Sequence, residues 1–220
     1  MEFYDIEQNT EQWYQMRLGK LTASQFGTVM AHVKKDFGDP AKRYAVQIAL
    51  GQITGVVPPA GYQNEHMIRG HEQEPIARAQ YEVTFDCEVS NGGFFCNDFI
   101  GVSPDGLVGD KGVIEIKSVI AAKHFATLKS QSYDKSYNWQ LIGNLFYTGS
   151  DWIDFVSYCS EFPVGRQLYT YRIHKESVVS EIELMQERFE SFKGLVSQTK
   201  DEILNATYFG EIPDADQRAM

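Results

Sequence analysis

The sequence predicts an α/β (α+β) fold with a mixed central β-sheet flanked by helices. Three observations carry that prediction. Apolar runs of strand length recur between residues 88 and 119 and again between 152 and 173. Helical periodicity fills the segments before, between and after them. Finally, 43% of the 220 residues are hydrophobic, enough for one sizeable core. Strands interleaved with helices in this way imply helices packed on both faces of a sheet.

The elements follow in order. Thr22-Ala23-Ser24-Gln25 matches a capping box ahead of Phe26, Val29 and Met30, so a helix is expected to start near Thr22. Asp39-Pro40 opens a second helix through Tyr44, Ile48 and Leu50 to Gly51 or Gly55, with proline at the favoured first position. A third covers about Asn64 to Glu82 and contains Pro75, which removes one backbone donor. Strands are expected near Glu88–Asn91, Asp98–Ser103 and Val113–Val119. Helical segments near Ala121–Leu128 and Asp134–Tyr147 lead to two more strands, Trp152–Cys159 and Leu168–Ile173. From Ser177 to about Ala206, Val178, Ile182, Met185, Phe189, Phe192 and Val196 recur at helical spacing, the mark of a long amphipathic helix. No repeat, low-complexity tract or linker interrupts residues 1–220, which read as a single domain.

Composition narrows the class. No stretch approaches the roughly 20 apolar residues of a membrane span. The segment Met1–Glu7 has neither the basic nor the apolar region of a secretory signal, so a cytoplasmic protein is expected. Cys87, Cys96 and Cys159 are scattered and read as reduced core thiols, too few for four-cysteine metal ligation. The net charge of −10 argues against a nucleic-acid partner if it is spread evenly. It is not even along the chain: Lys34, Lys35, Lys42 and Arg43 cluster, with Lys20 before them, while acids concentrate from Glu176 to Asp216. A nucleic acid would then follow a confined basic groove, with metal ions offsetting any carboxylates at its end.

The chemistry-bearing residues lie between Phe99 and Ser118, where Ser103-Pro104-Asp105-Gly106 precedes Gly112-Val113-Ile114-Glu115-Ile116-Lys117. By the strand period, Ile114 and Ile116 share one face, and Val113, Glu115 and Lys117 share the other, Glu115 and Lys117 being roughly 6–7 Å apart. Pro104-Asp105-Gly106 and Gly109-Asp110-Lys111-Gly112 are turn signals. A strand stopping at Asp105 and a returning strand bearing Glu115 bring both carboxylates to one sheet edge, as oxygen ligands for Mg²⁺ or Mn²⁺. Two carboxylates and an amine around a divalent ion are suited to cutting phosphodiester bonds. Each residue alone also reads as part of a polar hairpin. As a set they interrupt an apolar strand that continues into Val119 and Ile120, where a charged pair is costly to bury unless paired or bound to metal.

Three further groups have two readings each. His71, Glu74, Arg78 and Tyr81 form one helical stripe. It is either a solvated face or the source of a third metal ligand, Glu74, and a phosphate contact, Arg78; His71 is either a ligand or structural. Arg17 and Ser24 offer a phosphate clamp beside a helix N-terminus, or only a cap and a surface arginine. Gln140, in Tyr137-Asn138-Trp139-Gln140, is either an internally satisfied amide or a donor to attacking water or phosphate.

Five blocks combine these residues: Trp13…Arg17-Leu-Gly-Lys-Leu-Thr-Ala-Ser24, Arg69-Gly-His-Glu-Gln-Glu74-Pro-Ile-Ala-Arg78, Ser103-Pro-Asp105-Gly106, Glu115-Ile-Lys117 and Tyr137-Asn-Trp-Gln140. In this order, from Trp13 to Gln140, they resemble the lambda exonuclease (YqaJ-type viral recombinase) family of the PD-(D/E)xK nucleases. The resemblance implies a restriction-endonuclease-like core and 5′→3′ digestion of one strand of linear double-stranded DNA. It also implies a homotrimeric ring, a phage single-strand annealing protein as partner, and a phage- or prophage-encoded enzyme in the bacterial cytoplasm. By motif position, Asp105, Glu115, the Ile116 carbonyl and Glu74 resemble ligands of two Mg²⁺ ions, and Lys117 resembles the residue that positions the water. Arg17, Ser24, Ser103 and Gln140 resemble a terminal-phosphate pocket. A RecB-like repair nuclease and a non-catalytic recombination scaffold remain as alternatives, the second opposed by the intact Asp105, Glu115 and Lys117.

Overall fold

The computed structural model describes residues 1–58 and 65–206, the side chains of 65–67 excepted. The chain begins with β1 (Glu2–Tyr4), α1 (Glu11–Arg17), β2 (Leu21–Thr22), α2 (Phe26–Met30), α3 (Asp39–Thr54) and α4 (Glu65–Phe85). Five strands follow: β3 (Val89–Ser90), β4 (Phe94–Cys96), β5 (Ile100–Val102), β6 (Gly106–Val108) and β7 (Gly112–Ser118). Then come α5 (Ala121–Ser130), α6 (Asn138–Tyr147), β8 (Trp152–Tyr158), β9 (Leu168–His174) and α7 (Val179–Asn205).

The fold class is as expected, but the strands form two mixed sheets, not one. The larger has the order β3-β6-β7-β8-β9, with β7 and β8 parallel and the other pairs antiparallel. The smaller has the order β1-β4-β5-β2, with β2 and β5 parallel. Ser103-Pro104-Asp105 is the crossing from β5 of the small sheet to β6 of the large one, so one of the candidate ligands sits where the two sheets meet.

β7 is covered on both faces, which is why it reads as a nearly continuous apolar run. Ile114 and Ile116 pack with Ala77 and Tyr81 of α4 and Val156 of β8. Val113 joins the larger core with Ile153, Phe155 and the Ile182, Met185, Phe189 and Phe192 stripe of α7. Leu21, Ile100 and Val102 of the small sheet belong to that same core. The predicted division of β7 into an isoleucine face and a Val113 face therefore holds.

α3 carries proline in its first turn and ends on Gly55, whose φ of 65° closes the helix through an N–H bond to the Gly51 carbonyl. The long C-terminal helix is present, preceded by a 3-10 turn at Lys175–Val178. Other expectations change. Thr22 does not open an α-helix: its backbone N–H donates to the Tyr44 hydroxyl, and its own hydroxyl lies 3.3 Å from the same oxygen. The chain then makes a 3-10 turn, Ala23–Gln25, before α2, and Gln25 accepts from Thr28. The Asp98–Ser103 strand shortens to Ile100–Val102, because the Asn97 side chain accepts from the N–H groups of Phe99 and Ile100 and makes a turn there. β1, β2, β4, β6 and α1 were not anticipated; the strands are two or three residues long, too short to display a period. The expected helix start at Asn64 and the acidic residues beyond 206 lie outside the described residues. Among the described residues no helix is long and apolar enough to cross a membrane.

Candidate active site

The site grows from the fork between β6 and β7. Their ladder stops at the Gly106–Ile114 pair, and the Asp105 N–H closes it by donating to the Ile114 carbonyl at 3.0 Å. One pleat further on, the Ile116 N–H donates to Asp105 Oδ2 at 2.6 Å. Backbone groups of one strand residue point to the same side, so the Ile116 carbonyl faces that opening as well, beyond the end of the ladder. Asp105 is held from three directions. Ile116 takes one oxygen, Gln8 Nε2 lies 3.4 Å from the other, and Arg78 donates to the Asp105 backbone carbonyl. Gly92 allows this crossing: a Cβ there would stand 1.8 Å from the Pro104 carbonyl oxygen.

Glu115 is buried on the α6 side of β7. Its Oε1 accepts from Lys117 Nζ and Gln140 Nε2, both at 2.5 Å, and its Oε2 accepts from Asn144 Nδ2 at 2.7 Å. Gln140 and Asn144 are one helical turn apart on α6, so a single helix face grips both carboxylate oxygens. The Lys117 amine also lies 5.1 Å from the centre of the Tyr137 ring. From the opposite face, α4 brings Glu74, whose carboxylate is 3.7 Å from Arg78. Tyr81 of the predicted stripe is fully buried and donates to Asp154 at 2.6 Å. His71 is exposed and lines a small cavity of about 180 Å³ with Glu74, Arg78 and Asp105.

The electrostatics are those of crowded acids. Burial, reinforced by Asp105 and Glu74, pushes the Glu115 carboxyl up to about 8. Burial and the neighbouring Asp105 push Glu74 up to about 7. Burial also raises Asp105, against the pull of Lys117 and the Ile116 N–H. For Lys117, burial favours the neutral amine, yet Glu115 and Asp105 together hold it above its ordinary value. Excess negative charge of this kind is what a divalent cation relieves.

Asp105, Glu115 and the Ile116 carbonyl thus form a compact oxygen donor set suited to a hard ion. Among the described residues no three His, Cys, Asp or Glu side chains converge as a ligand cluster.

The second group is more dispersed. The Arg17 guanidinium stacks 4.0 Å from the Trp13 ring, with Nη2 3.4 Å from Thr22 Oγ1. It lines a cavity of about 390 Å³ together with Tyr14, Lys20 and Tyr44. Trp13 Nε1 in turn donates to Ser103 Oγ at 3.2 Å, and that hydroxyl donates to the Gly93 carbonyl at 2.6 Å. Arg17 and Ser103 are thereby linked through one indole, two residues from Asp105. Ser24 is exposed on the 3-10 turn that packs against α6. The amide nitrogen of Gln140 is committed to Glu115, which favours the internally satisfied reading of that residue.

Sequence reasoning missed Asn144 and Gln8. Asn144 was findable, four residues after Gln140 on a helix. Gln8, 97 positions from Asp105, leaves no local signal.

The profile of the YqaJ-like viral recombinase domain matches residues 12–151, well over half of the chain. The chain belongs to that family. It is similar over 89% of its length to an alkaline exonuclease, LHK-Exo, from Laribacter hongkongensis, with 31% identity, 98% of that chain covered and a TM-score of 0.73. A structure of LHK-Exo in complex with dAMP matches with 32% identity, the same coverage and a TM-score of 0.74. A phage-related exonuclease from Haemophilus somnus 129PT shares the fold, at 19% identity and a TM-score of 0.67 over 86% of this chain and 99% of its own. No curated protein matches the chain in sequence. Family membership supports a nuclease role in phage recombination.

Proposed function

We propose that this chain is a Mg²⁺-dependent 5′→3′ exonuclease. It degrades one strand of linear double-stranded DNA and leaves 3′ single-stranded tails for an annealing protein. The observation that carries the reading is the meeting of Asp105, Glu115 and Lys117 around the outward-facing Ile116 carbonyl. The similarity to an alkaline exonuclease over nearly the whole of both chains supports it. A homotrimeric ring in the bacterial cytoplasm, with two ions per site, is the assembly the family suggests.

Asp105, Glu115 and the Ile116 carbonyl would hold Mg²⁺ or Mn²⁺, with Glu74 joining by a side-chain shift away from Arg78. When bound, such an ion neutralises charge at the scissile phosphate and acidifies water. The chain's own contribution is positional. Lys117, fixed by Glu115 and backed by Tyr137, directs a charged donor at the attacking water and offsets negative charge on the phosphate. Gln140 and Asn144 keep Glu115 from rotating. Arg17, a charged fork in a half-buried pocket, takes the terminal 5′-phosphate, with Ser103 and Ser24 nearby.

End-labelled linear duplex DNA tests this directly. With Mg²⁺, the expected outcome is release of nucleotides from 5′-phosphorylated ends, slower attack on 5′-hydroxyl ends, and resistance of circular duplex. Release from 3′ ends would overturn the polarity, and efficient cutting of circles would favour an endonuclease of the same fold.

A further inference from the structure

A second cation of α4 stands at the rim of the site and has no role in the reaction as described so far. Arg69 Nη2 reaches the Ser118 carbonyl at 3.5 Å. The strand pattern fixes where that carbonyl points. The Ile114 carbonyl accepts from Asp105 and the Ile116 N–H donates to Asp105, so even-numbered residues of β7 turn their backbone groups toward β6. The Val119 N–H, by contrast, donates across to Tyr158. Since the β6 ladder ends opposite Ile114, the carbonyls of Ile116 and Ser118 both lie along the opening. The Ser118 carbonyl that Arg69 reaches therefore lies roughly 6–7 Å beyond the Ile116 carbonyl, two residues further up the strand.

Its chemistry is incomplete there. Among the described residues Arg69 Nε is buried without a hydrogen-bond partner. Among the described residues no carboxylate lies within ion-pair distance of it. Nor is Arg69 required to dock α4 on the strand, because Gln73, one turn later, does so: it accepts from Ser118 Oγ at 2.6 Å and donates to Ser160 Oγ at 2.9 Å. A half-buried guanidinium beside a nuclease site, with no acid against it among the described residues, matches a phosphate group.

We infer that Arg69 binds a backbone phosphate of the DNA strand held in the site, next to the phosphate that is cut. The inference rests on the nuclease reading above. Its test is binding of a labelled, 5′-phosphorylated linear duplex across a salt series, in a Lys117→Ala background that removes cleavage. Arg69→Gln is expected to raise Kd about three- to tenfold and to make the dependence of log Kd on log salt shallower by about one. With Lys117 intact, the same change should raise KM more than it lowers kcat. Unchanged Kd and slope in Arg69→Gln would overturn the assignment. If that variant loses its melting transition, Arg69→Lys decides: it keeps the charge but not the fork, so an unchanged slope with Kd raised about two- to threefold is expected. A folded Arg69→Lys protein with wild-type Kd would overturn the contact. Duplex binding without any Mg²⁺-dependent release of nucleotides by the unmutated protein would count against the nuclease reading alone.

Discussion

Glu115 and Asp154 are buried acids on adjacent parallel strands, one residue out of register, yet their surroundings differ in kind. Asp154 faces α4. It accepts two bonds from Arg172 at 2.8 Å each and a third from the Tyr81 hydroxyl at 2.6 Å. Arg172 is itself stacked 3.6 Å from the Trp152 ring. Every group in this cluster has a partner, and the charges balance. Glu115 also has three donors, but only one carries charge, and Asp105 and Glu74 crowd it with further negative charge. A closed network of the first kind stabilises and orients. The second is stable only because the surrounding fold enforces it, and it gains from a ligand. The two also cooperate: Tyr81, locked to Asp154, is on the helix that delivers Glu74, Arg78 and Arg69.

Substitution should separate the two acids most sharply in activity. Glu115→Gln, and likewise Asp105→Asn or Lys117→Ala, is expected to reduce Mg²⁺-dependent digestion at least about 100-fold while leaving the far-ultraviolet spectrum and melting transition in place. Near wild-type release of nucleotides by any one of them removes that residue from the site. Asp154→Asn should do the reverse. Its cost is about 3 kcal/mol of unfolding free energy in urea, below the value for a fully enclosed pair because Arg172 keeps 40% of its side chain exposed. Digestion below the lowered melting point should persist.

A pH series sharpens the contrast. A carboxyl whose folded pKa lies above its unfolded value holds its proton more tightly when folded. Stability from such a group is therefore greatest at low pH and falls as pH rises through the folded value. For Glu115, moved from 4.5 to about 8, and Glu74, moved from 4.5 to about 7, the window runs from about pH 5 to pH 8. Melting temperature in the presence of chelator should decline across it, and Glu115→Gln should flatten the decline. A rise over the same window would contradict the crowding of acids. The smallest effect belongs to the outlying pocket. Arg17→Ala should lower the preference for 5′-phosphorylated over 5′-hydroxyl ends by several-fold, and an equal loss on both ends would detach Arg17 from end recognition.

The local periodicities made much of this legible. Alternation along Val113–Lys117 assigned both faces of β7 correctly, because a strand in a covered sheet has no freedom to turn one residue without turning all of them. The α7 stripe and the proline and glycine limits of α3 were readable for the same reason: one period, repeated over several turns, leaves a single buried face. Short elements failed. β1, β2, β4 and β6 are held by pairing with distant strands, and Thr22 was taken from helix capping by Tyr44, a residue of another helix.

By itself, then, the sequence determined which residues carry charge into the interior and which face of their own element they occupy. Only the tertiary structure decided which of those faces meet. It divided the strands into two sheets and set Asp105 at their junction, held there by Gln8. It also turned Gln140 and Asn144 onto Glu115, engaged Glu74 with Arg78 and brought Arg69 to the open end of β7. The physical reason is that each of these contacts joins segments far apart in the chain, and no repeating local spacing records the path that brings them together.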